Sequence, residues 1–182
     1  VAVAAMTGRA RGEPIGAAAA GAVEYPRLAP GHVASLAAML AALTGTGEAR
    51  FFHPHPFDEA TLRGLAAPPD DPLRADEYRV ALADGVVGYG MLRGWAEGFA
   101  VPSLGIAVHP AARGRGVARE MMVRLHEVAR RRGAARVRLT VYRDNRAALA
   151  LYESLGYRLE PLDGQRVLGV LDLGRGAAGE AA

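Results

Sequence analysis

The stretch HPAARGRGVAREMM, residues 109–122, places alternating arginine and glycine between an apolar segment and a segment with helical periodicity. A loop that only turns the chain needs one glycine, whereas a loop that holds a phosphate needs several exposed backbone N–H groups. Arg113, Gly114, Arg115 and Gly116 combine bare backbone with positive charge. The alternative is an ordinary glycine-rich turn with solvated arginines, and the flanking segments decide between the two.

Those flanking segments predict a strand before the loop and a helix after it. In SLGIAVHP, residues 103–110, Leu104, Ile106 and Val108 alternate with small or polar residues, as is typical of a strand. Over residues 114–132, apolar side chains recur at helical spacing, and the segment ends in RRRG, which suits a helix C-terminus. The loop therefore lies at a helix N-terminus, where free N–H groups and the helix dipole attract an anion.

The rest of the chain alternates predicted strands and helices, which indicates the α/β class. The predicted strands cover residues 22–28, 77–84, 86–95, 103–110, 135–142, 157–160 and 165–173, and the predicted helices cover residues 32–43, 59–67, 114–132 and 145–157. The dipeptide Asp84–Gly85 predicts a hairpin between two of these strands. A strand, helix and strand in succession from residue 103 to 142 predict a parallel pair joined by a right-handed crossover.

The 182 residues are enough for one domain with a full core, which we place at residues 22–173. Residues 1–21 and 174–182 are rich in alanine and glycine and are predicted to be mobile tails. No apolar stretch is long enough to span a membrane, so we expect a soluble, cytoplasmic protein.

Composition excludes several classes of chemistry. The chain has no cysteine, which rules out disulfides, thiolate metal sites and cysteine nucleophiles. All 22 basic residues are arginine, so lysine Schiff bases and P-loop lysines are excluded as well. The formal net charge is +3 and the arginines are dispersed, which does not favour nucleic-acid binding. A basic RNA-associated module is therefore the weakest functional hypothesis.

A second motif, NRAALALYESLGY, occupies residues 145–157. Asn145 and Tyr152 are seven positions apart, about two helical turns, so they project from nearly the same face. Ala148 lies between them and keeps that face shallow enough for a thin group to pass. The alternative is a capped amphipathic helix with a tyrosine in the core.

Together the two motifs resemble the GCN5-related N-acetyltransferases, the GNAT family. Arg113-x-x-Gly116-x-Ala118 resembles the family's acyl-CoA-binding signature, Gln/Arg-x-x-Gly-x-Gly/Ala. Residues 145–157 resemble its later segment, Asn-x-x-Ala-x-x-Leu-Tyr-Glu followed by Leu-Gly-Phe or Leu-Gly-Tyr. Their order and spacing argue against coincidence, and the resemblance covers roughly residues 22–173.

A further match to the first signature, at Arg130-x-x-Gly133-x-Ala135, has the wrong context. It falls at the predicted C-terminus of a helix, where carbonyl oxygens and the negative end of the dipole repel phosphate. The position of a glycine relative to the helix, and not the pattern alone, therefore separates the two matches.

The resemblance implies a mixed, partly splayed central β-sheet flanked by helices, with acetyl-CoA as co-substrate and no metal. Pantetheine would enter the gap between the strands at 103–110 and 135–142 like an extra strand. The residues that the resemblance assigns to the coenzyme are Ile106, Val108, Arg113, Gly114, Arg115, Gly116, Val117, Ala118 and Asn145.

In this family a primary amine of a small molecule or peptide attacks the thioester directly, and no protein nucleophile is needed. Tyr152 matches the tyrosine that acts as general acid; an ordinary phenol titrates near 10 and so carries a proton at neutral pH. Its alternative role is packing against Tyr157. Glu97 matches the position of an acceptor-facing carboxylate that could orient the amine or accept its proton. The alternative is an exposed loop glutamate.

His53 and His55, in FFHPHPF, lie in the connection between the first two helices, which builds acceptor sites in the family. Either could bind the acceptor, or the pair could brace the loop through hydrogen bonds. A metal site is not expected, since no third ligand has suitable spacing: His32, His109 and His126 fall elsewhere, and His109 beside Pro110 is expected to be structural.

Nothing in the sequence selects the acceptor among the antibiotics, polyamines, amino sugars, amino acids and protein N-termini that the family acetylates. A catalytically silent acyl-CoA-binding or sensing domain of the same fold is the alternative function. An exposed final strand would offer an edge for pairing, so we expect that a homodimer can form.

Overall fold

The structure, a computed structural model, describes residues 22–45, 48–72 and 74–174. The predicted tails, residues 1–21 and 174–182, lie outside the described residues except for Gly174. In the described ranges the strands are β1 (Glu77–Leu82), β2 (Val86–Arg93), β3 (Ser103–Val108), β4 (Arg136–Tyr142), β5 (Arg158–Pro161) and β6 (Arg166–Asp172). The α-helices of the same ranges are α1 (Val33–Gly45), α2 (Glu59–Ala66), α3 (Val117–Arg131) and α4 (Arg146–Ser154).

The strands form one mixed sheet in the order β1-β2-β3-β4-β6-β5. Every neighbouring pair is antiparallel except β3 and β4, which are parallel. In the described residues, β3 and β4 are in register at one position, Ser103 opposite Arg138. Because this position is near the start of both strands, they separate toward their C-terminal ends. The predicted mixed, partly splayed sheet flanked by helices is confirmed.

Helices cover both faces of the sheet, because successive side chains of a strand point to opposite faces and those of β3 are apolar on both. The side chains of Ile106 and Val108 belong to the core cluster that contains α3 and α4. Ala107, between them, belongs to a second cluster formed with α1 and α2. A Cβ added at Gly90 would lie 2.7 Å from Cγ of Met121, so glycine in β2 allows α3 to pack directly on the strand.

Two sequence features cap the helices as predicted. The Asp58 carboxylate accepts a hydrogen bond from the Thr61 N–H at 2.8 Å and begins α2. The Asn145 side chain accepts one from the Ala148 N–H at 3.3 Å and begins α4. Among the ranges that the structure describes, no helix has both the length and the apolar character needed to cross a membrane.

The predicted first strand, residues 22–28, is not a continuous strand. Its backbone meets the outer edge of β1 at two isolated bridges, formed by Glu24 and Arg27. Pro26 lies between these residues and has no N–H to donate to a ladder. The segment therefore covers the edge of β1 without extending the sheet.

The final strand is not an edge strand, so the expectation of an exposed final edge was wrong. β6 lies between β4 and β5, and the edge strand is β5. β5 has four residues and ends at Pro161. Short length and proline both make an edge a poor template for pairing with a second copy.

Candidate active site

The loop before α3 depends on two glycines in the left-handed region. Gly114 has φ +71° and Gly116 has φ +80°. A Cβ added at either position would meet no described atom within 4 Å. Packing therefore does not require glycine here; the backbone conformation does, because other residues are strained at positive φ.

This loop ends in a surface suited to an anion. Gly116 is the N-cap of α3, and the N–H groups of the first helical turn have no acceptor within the helix. They lie at the positive end of the helix dipole. A pocket at this end is lined by Val108, Ala112, Arg113, Gly114, Gly116, Val117, Ala118, Arg119 and Leu151. The structure thus brings together most of the residues predicted to bind the coenzyme, while Arg115 is exposed in the same loop.

The other match to the signature has a different role, as its context predicted. Gly133, with φ +76°, follows the C-terminus of α3. Its N–H donates to the Arg130 carbonyl at 2.9 Å, and the Ala134 N–H donates to the Ala129 carbonyl at 3.0 Å. These amides are used to cap the helix.

The predicted backbone positions on β3 face the gap. The Arg138 N–H donates to the Pro102 carbonyl at 3.0 Å, so the peptide group at residue 102 points toward β4. Peptide groups alternate along a strand, and Ile106 and Val108 share the parity of residue 102. Their N–H and C=O groups therefore point to the β4 side, where the strands have separated. His109 has the opposite parity, and its N–H donates toward β2, to the Val87 carbonyl at 2.9 Å.

His109 has the structural role that the sequence suggested. Its Nδ1 accepts a hydrogen bond from the Ala111 N–H at 3.2 Å and caps the short 3₁₀ turn that follows β3. Burial, followed by the nearby positive charge of Arg113, lowers the pKa of His109. The neutral ring can therefore keep its lone pair on the backbone donor.

Tyr152 lies on the inner face of α4. Its side chain is completely buried, and its hydroxyl has no hydrogen-bond partner among the described residues. Burial, and secondarily Tyr157, raise the pKa of the Tyr152 phenol well above its usual value, so the hydroxyl is protonated at neutral pH. An unpaired buried hydroxyl costs about 1–3 kcal/mol. A ligand atom able to accept a hydrogen bond would remove that cost.

Glu97 lies in the loop after β2, which is held by a single carboxylate oxygen. Oδ1 of Asp76 accepts hydrogen bonds at 2.9, 3.0 and 3.2 Å from the N–H groups of Gly94, Trp95 and Ala96. Glu97 follows immediately and is exposed. Burial raises the pKa of Tyr78 to about 12, with added contributions from Asp76 and Glu97. The charge of Glu97 therefore acts on the Tyr78 phenol.

His55 is held from both sides of its ring. Its Nδ1 lies 2.7 Å from the Pro56 carbonyl and its Nε2 lies 3.0 Å from the Tyr89 hydroxyl. Burial lowers the pKa of His55, so the ring is neutral, with Nδ1–H donating and Nε2 accepting. This geometry supports the loop-brace interpretation for His55. His53 is exposed at the surface of the same segment.

Arg138 is a candidate site residue that sequence reasoning missed. Its Nε donates to Oγ of Ser103 at 2.9 Å, and its guanidinium carbon lies 5.8 Å from the ring centroid of Phe99, an exposed side chain. Alternation in β4 assigns Arg138 to the face of Tyr142, whose ring is 5.5 Å from that of Phe51. The sequence predicted that the strand at residues 103–110 would lie beside β4, but it carried no signal that Ser103 would be the partner of Arg138.

No group of three or more His, Asp and Glu side chains that could hold a metal occurs in the part of the chain that the structure describes. The histidines are separated by their structural roles. His32 accepts a hydrogen bond from the Ala29 N–H at 3.1 Å, and His126 is buried on α3.

Comparison with known proteins gives a consistent result. Residues 45–157 match the family described as Acetyltransferase (GNAT) family. A curated relative, Acetyltransferase SG1711 of Sodalis glossinidius, is 34% identical over 85 residues, which are 47% of this chain and 59% of that protein. The chain thus spans about three fifths of the relative that it matches.

Two solved structures show the same fold. One is yncA from Salmonella typhimurium with its cofactor acetyl-CoA, at 21% identity and a TM-score of 0.68, covering 89% of this chain and 100% of that one. The other is PaiA N-acetyltransferase from Thermoplasma acidophilum in complex with coenzyme A, at 14% identity and a TM-score of 0.68, covering 84% of this chain and 99% of that one.

Proposed function

Because the chain belongs to the GNAT family of acetyltransferases, we propose that it transfers the acetyl group of acetyl-CoA to a primary amine of a small molecule or peptide. The amine attacks the thioester directly while both substrates are bound. One observation carries the proposal: a loop with two positive-φ glycines opens α3 beside the widening gap between β3 and β4. Two similar structures hold acetyl-CoA or coenzyme A, which supports this choice of coenzyme.

In this proposal the diphosphate binds to the amides from Arg113 to Ala118. Arg113 and Arg115 add charge-assisted hydrogen bonds, and the first turn of α3, with Val117, adds the helix dipole. Pantetheine lies along β3 and bonds to the backbone of Ile106 and Val108, as an added strand would.

The residues of α4 complete the coenzyme site. Asn145 fixes the start of α4 by its cap, and so fixes the helix that carries Tyr152. Tyr152 acts as the general acid and protonates the departing sulfur. Its unpaired, protonated hydroxyl fits this role, since the sulfur would be its hydrogen-bond partner.

Most of the rate acceleration comes from holding amine and thioester together. The amine nitrogen forms a bond to the carbonyl carbon, the carbon–sulfur bond breaks, and the amine loses a proton. Glu97 orients the ammonium form of the acceptor or receives that proton through water. His53, which is exposed in the segment that His55 braces, contributes to acceptor binding, and His55 holds that segment in place.

A catalytically silent acyl-CoA-binding domain is the second candidate. The complete burial of Tyr152 favours it, because an acid must reach the sulfur. Coenzyme binding is common to both functions, so only turnover separates them.

The test has two stages. Calorimetry with acetyl-CoA should give a measurable heat of binding, and acetyl-pantetheine, which lacks the diphosphate, should bind more weakly. Release of CoA thiol is then followed with a panel of polyamines, amino sugars, amino acids and peptides with free N-termini. Release with at least one amine supports the enzyme. Binding without release from any amine favours the silent domain, and absence of binding overturns both.

A further inference from the structure

A buried histidine, His126, is linked to the candidate acid Tyr152 through Tyr157 and does not line the pocket at the start of α3. His126 lies on α3 and is 4% exposed. Its Nε2 is 2.8 Å from the hydroxyl of Tyr157, and the two ring centroids are 5.6 Å apart. An apolar side chain would fill such a position without the cost of burying an imidazole.

The direction of this hydrogen bond follows from its surroundings. Burial, with a further contribution from Arg130, lowers the pKa of His126 to about 4, so the ring is neutral at physiological pH. Burial also raises the pKa of Tyr157, so its phenol is protonated. The Tyr157 hydroxyl therefore donates and Nε2 of His126 accepts.

Tyr157 in turn contacts the candidate acid. Its ring centroid is 5.6 Å from that of Tyr152, with the ring planes at 54°. Within α4, all of which is described, the buried side chains are Ala148 and Tyr152. Leu149, Leu151 and Leu155 pack against the same core cluster and are only partly buried. Among the described aromatic contacts, Tyr157 is the ring that touches Tyr152, so its position bears directly on the orientation of the Tyr152 phenol.

We propose that His126 is a positioning residue for Tyr152 and acts through Tyr157. The hydrogen bond from α3 fixes the phenol of Tyr157, and the fixed ring sets the side-chain orientation of Tyr152. The inference rests on the proposed function in one respect, that Tyr152 is the general acid. His126 and Tyr157 themselves contact no reacting atom.

The test combines Tyr157→Phe, which deletes one hydroxyl, with His126→Leu, which deletes the acceptor. Each should lower kcat by about fivefold to tenfold, less than the hundredfold loss for a 1 Å displacement of a catalytic group. The KM for acetyl-CoA should change less than about twofold, since the coenzyme contacts are untouched. His126→Gln keeps a side-chain acceptor and should retain more activity than His126→Leu.

The decisive comparison places the same two substitutions in a Tyr152→Phe background. If His126 acts through Tyr152, kcat should not fall further there, because the acid is already absent. A fall by the same factor in both backgrounds would show that the effect bypasses Tyr152 and would overturn the proposal.

A second readout needs no acceptor and no turnover. In protein with ¹³C-labelled tyrosine, the Tyr152 ring signals are assigned by their loss in Tyr152→Phe. These signals should shift in His126→Leu, because the lost hydrogen bond to Tyr157 moves the ring that contacts Tyr152. The control is Tyr25→Phe, in which the Tyr152 signals should stay in place; the ring of Tyr25 packs under Arg124. Unchanged Tyr152 signals in His126→Leu would overturn the positioning role even if acetyl transfer is found. Absence of acetyl transfer would overturn the proposed function and leave this measurement decisive for the positioning role.

Discussion

Oε2 of Glu77 lies 2.7 Å from Nη2 of Arg132, and this contact joins the edge of the sheet to the C-terminal end of α3. Glu77 is 1% exposed, and the Nε of Arg79 lies 2.9 Å from its other oxygen as an ion pair. Arg132 also covers the ring of Trp95 at 4.5 Å, in the loop that carries Glu97. These contacts therefore join β1 and the end of α3 to the loop that carries Glu97.

Glu77→Gln should lower the free energy of unfolding by about 3 kcal/mol, because it leaves the partly buried guanidinium groups of Arg79 and Arg132 without their counter-charge. Urea denaturation at neutral pH measures the change. Glu59→Gln is the matched control: its ion pair with Arg63 is largely exposed, so the loss should stay below about 0.5 kcal/mol. Equal losses in the two variants would contradict the assigned role of Glu77.

Gly116→Ala should weaken acetyl-CoA binding by at least about tenfold and destabilise the fold by about 1–2 kcal/mol, since alanine is strained at φ +80°. Gly133→Ala controls for the strain, because Gly133 has φ +76° at the opposite end of α3. It should cost similar stability and leave the affinity unchanged. Calorimetry and thermal melts distinguish the two effects, and weakened binding in both variants would count against the loop as the diphosphate site.

Tyr152→Phe should lower kcat by about a hundredfold, the lower end of the range for loss of a general acid. Acetyl-CoA affinity should change little, and the free energy of unfolding should not decrease, because the removed hydroxyl is buried without a partner. Steady-state kinetics with the best acceptor, calorimetry and urea denaturation give the three values. Unchanged turnover over the full pH range would remove Tyr152 from the mechanism.

Glu97→Gln should lower kcat/KM for the amine by about tenfold, because the carboxylate orients the acceptor or receives its proton. The affinity for acetyl-CoA should be unchanged. Glu127→Gln, at an exposed position on α3, is the control for loss of one surface carboxylate. If kcat/KM for the amine is the same in both variants, Glu97 has no role in the reaction and is an exposed loop residue.

Stability should fall as the pH is lowered from about 6.5 to about 4, in part because of His126. Its pKa is lowered to about 4 in the folded state, whereas an unfolded histidine titrates near 6.5, so within this window the unfolded chain binds a proton that the folded chain does not. The contribution is complete above the window, and its loss on acidification amounts to about 3 kcal/mol.

His126→Gln removes the contribution of His126 protonation and should flatten the dependence of the unfolding free energy on pH. The pKa values of His55 and His109 are also lowered, so part of the slope should remain. Urea denaturation at pH 7, 5.5 and 4 measures the difference, and parallel curves for the two proteins would argue against a buried neutral His126.

Local features of the fold could be predicted because their causes lie within a few residues. Asp58 and Asn145 cap α2 and α4 through donors three positions ahead. The signature at Gly116 could be separated from its duplicate at Gly133 by its position at the start of a helix. The backbone of Ile106 and Val108 was assigned to the coenzyme by the family resemblance, and its orientation toward β4 could be stated only once the Arg138 N–H was seen to donate to the Pro102 carbonyl.

Features that depend on distant segments could not be predicted. Pro26 was visible within the predicted strand at residues 22–28, but that this segment lies along β1 depends on its bridges to Leu82 and Arg79, more than 50 positions away. The hydrogen bond between His126 and Tyr157 joins residues 31 positions apart, and the sequence next to either residue does not predict it. The pairing of Arg138 with Ser103 depends on the register between β3 and β4, which the predicted parallel pair did not specify.

The sequence alone determined the alternation of strands and helices, the helix caps and the glycine loop that opens α3, since backbone preference and side-chain periodicity act over one or two turns. Only the tertiary structure decided that β6 inserts between β4 and β5, that β3 and β4 are in register at Ser103 and Arg138, and that His126 bonds to the tyrosine beside Tyr152. Strand order and buried contacts depend on which surfaces exclude water from one another, and that is a property of the whole chain.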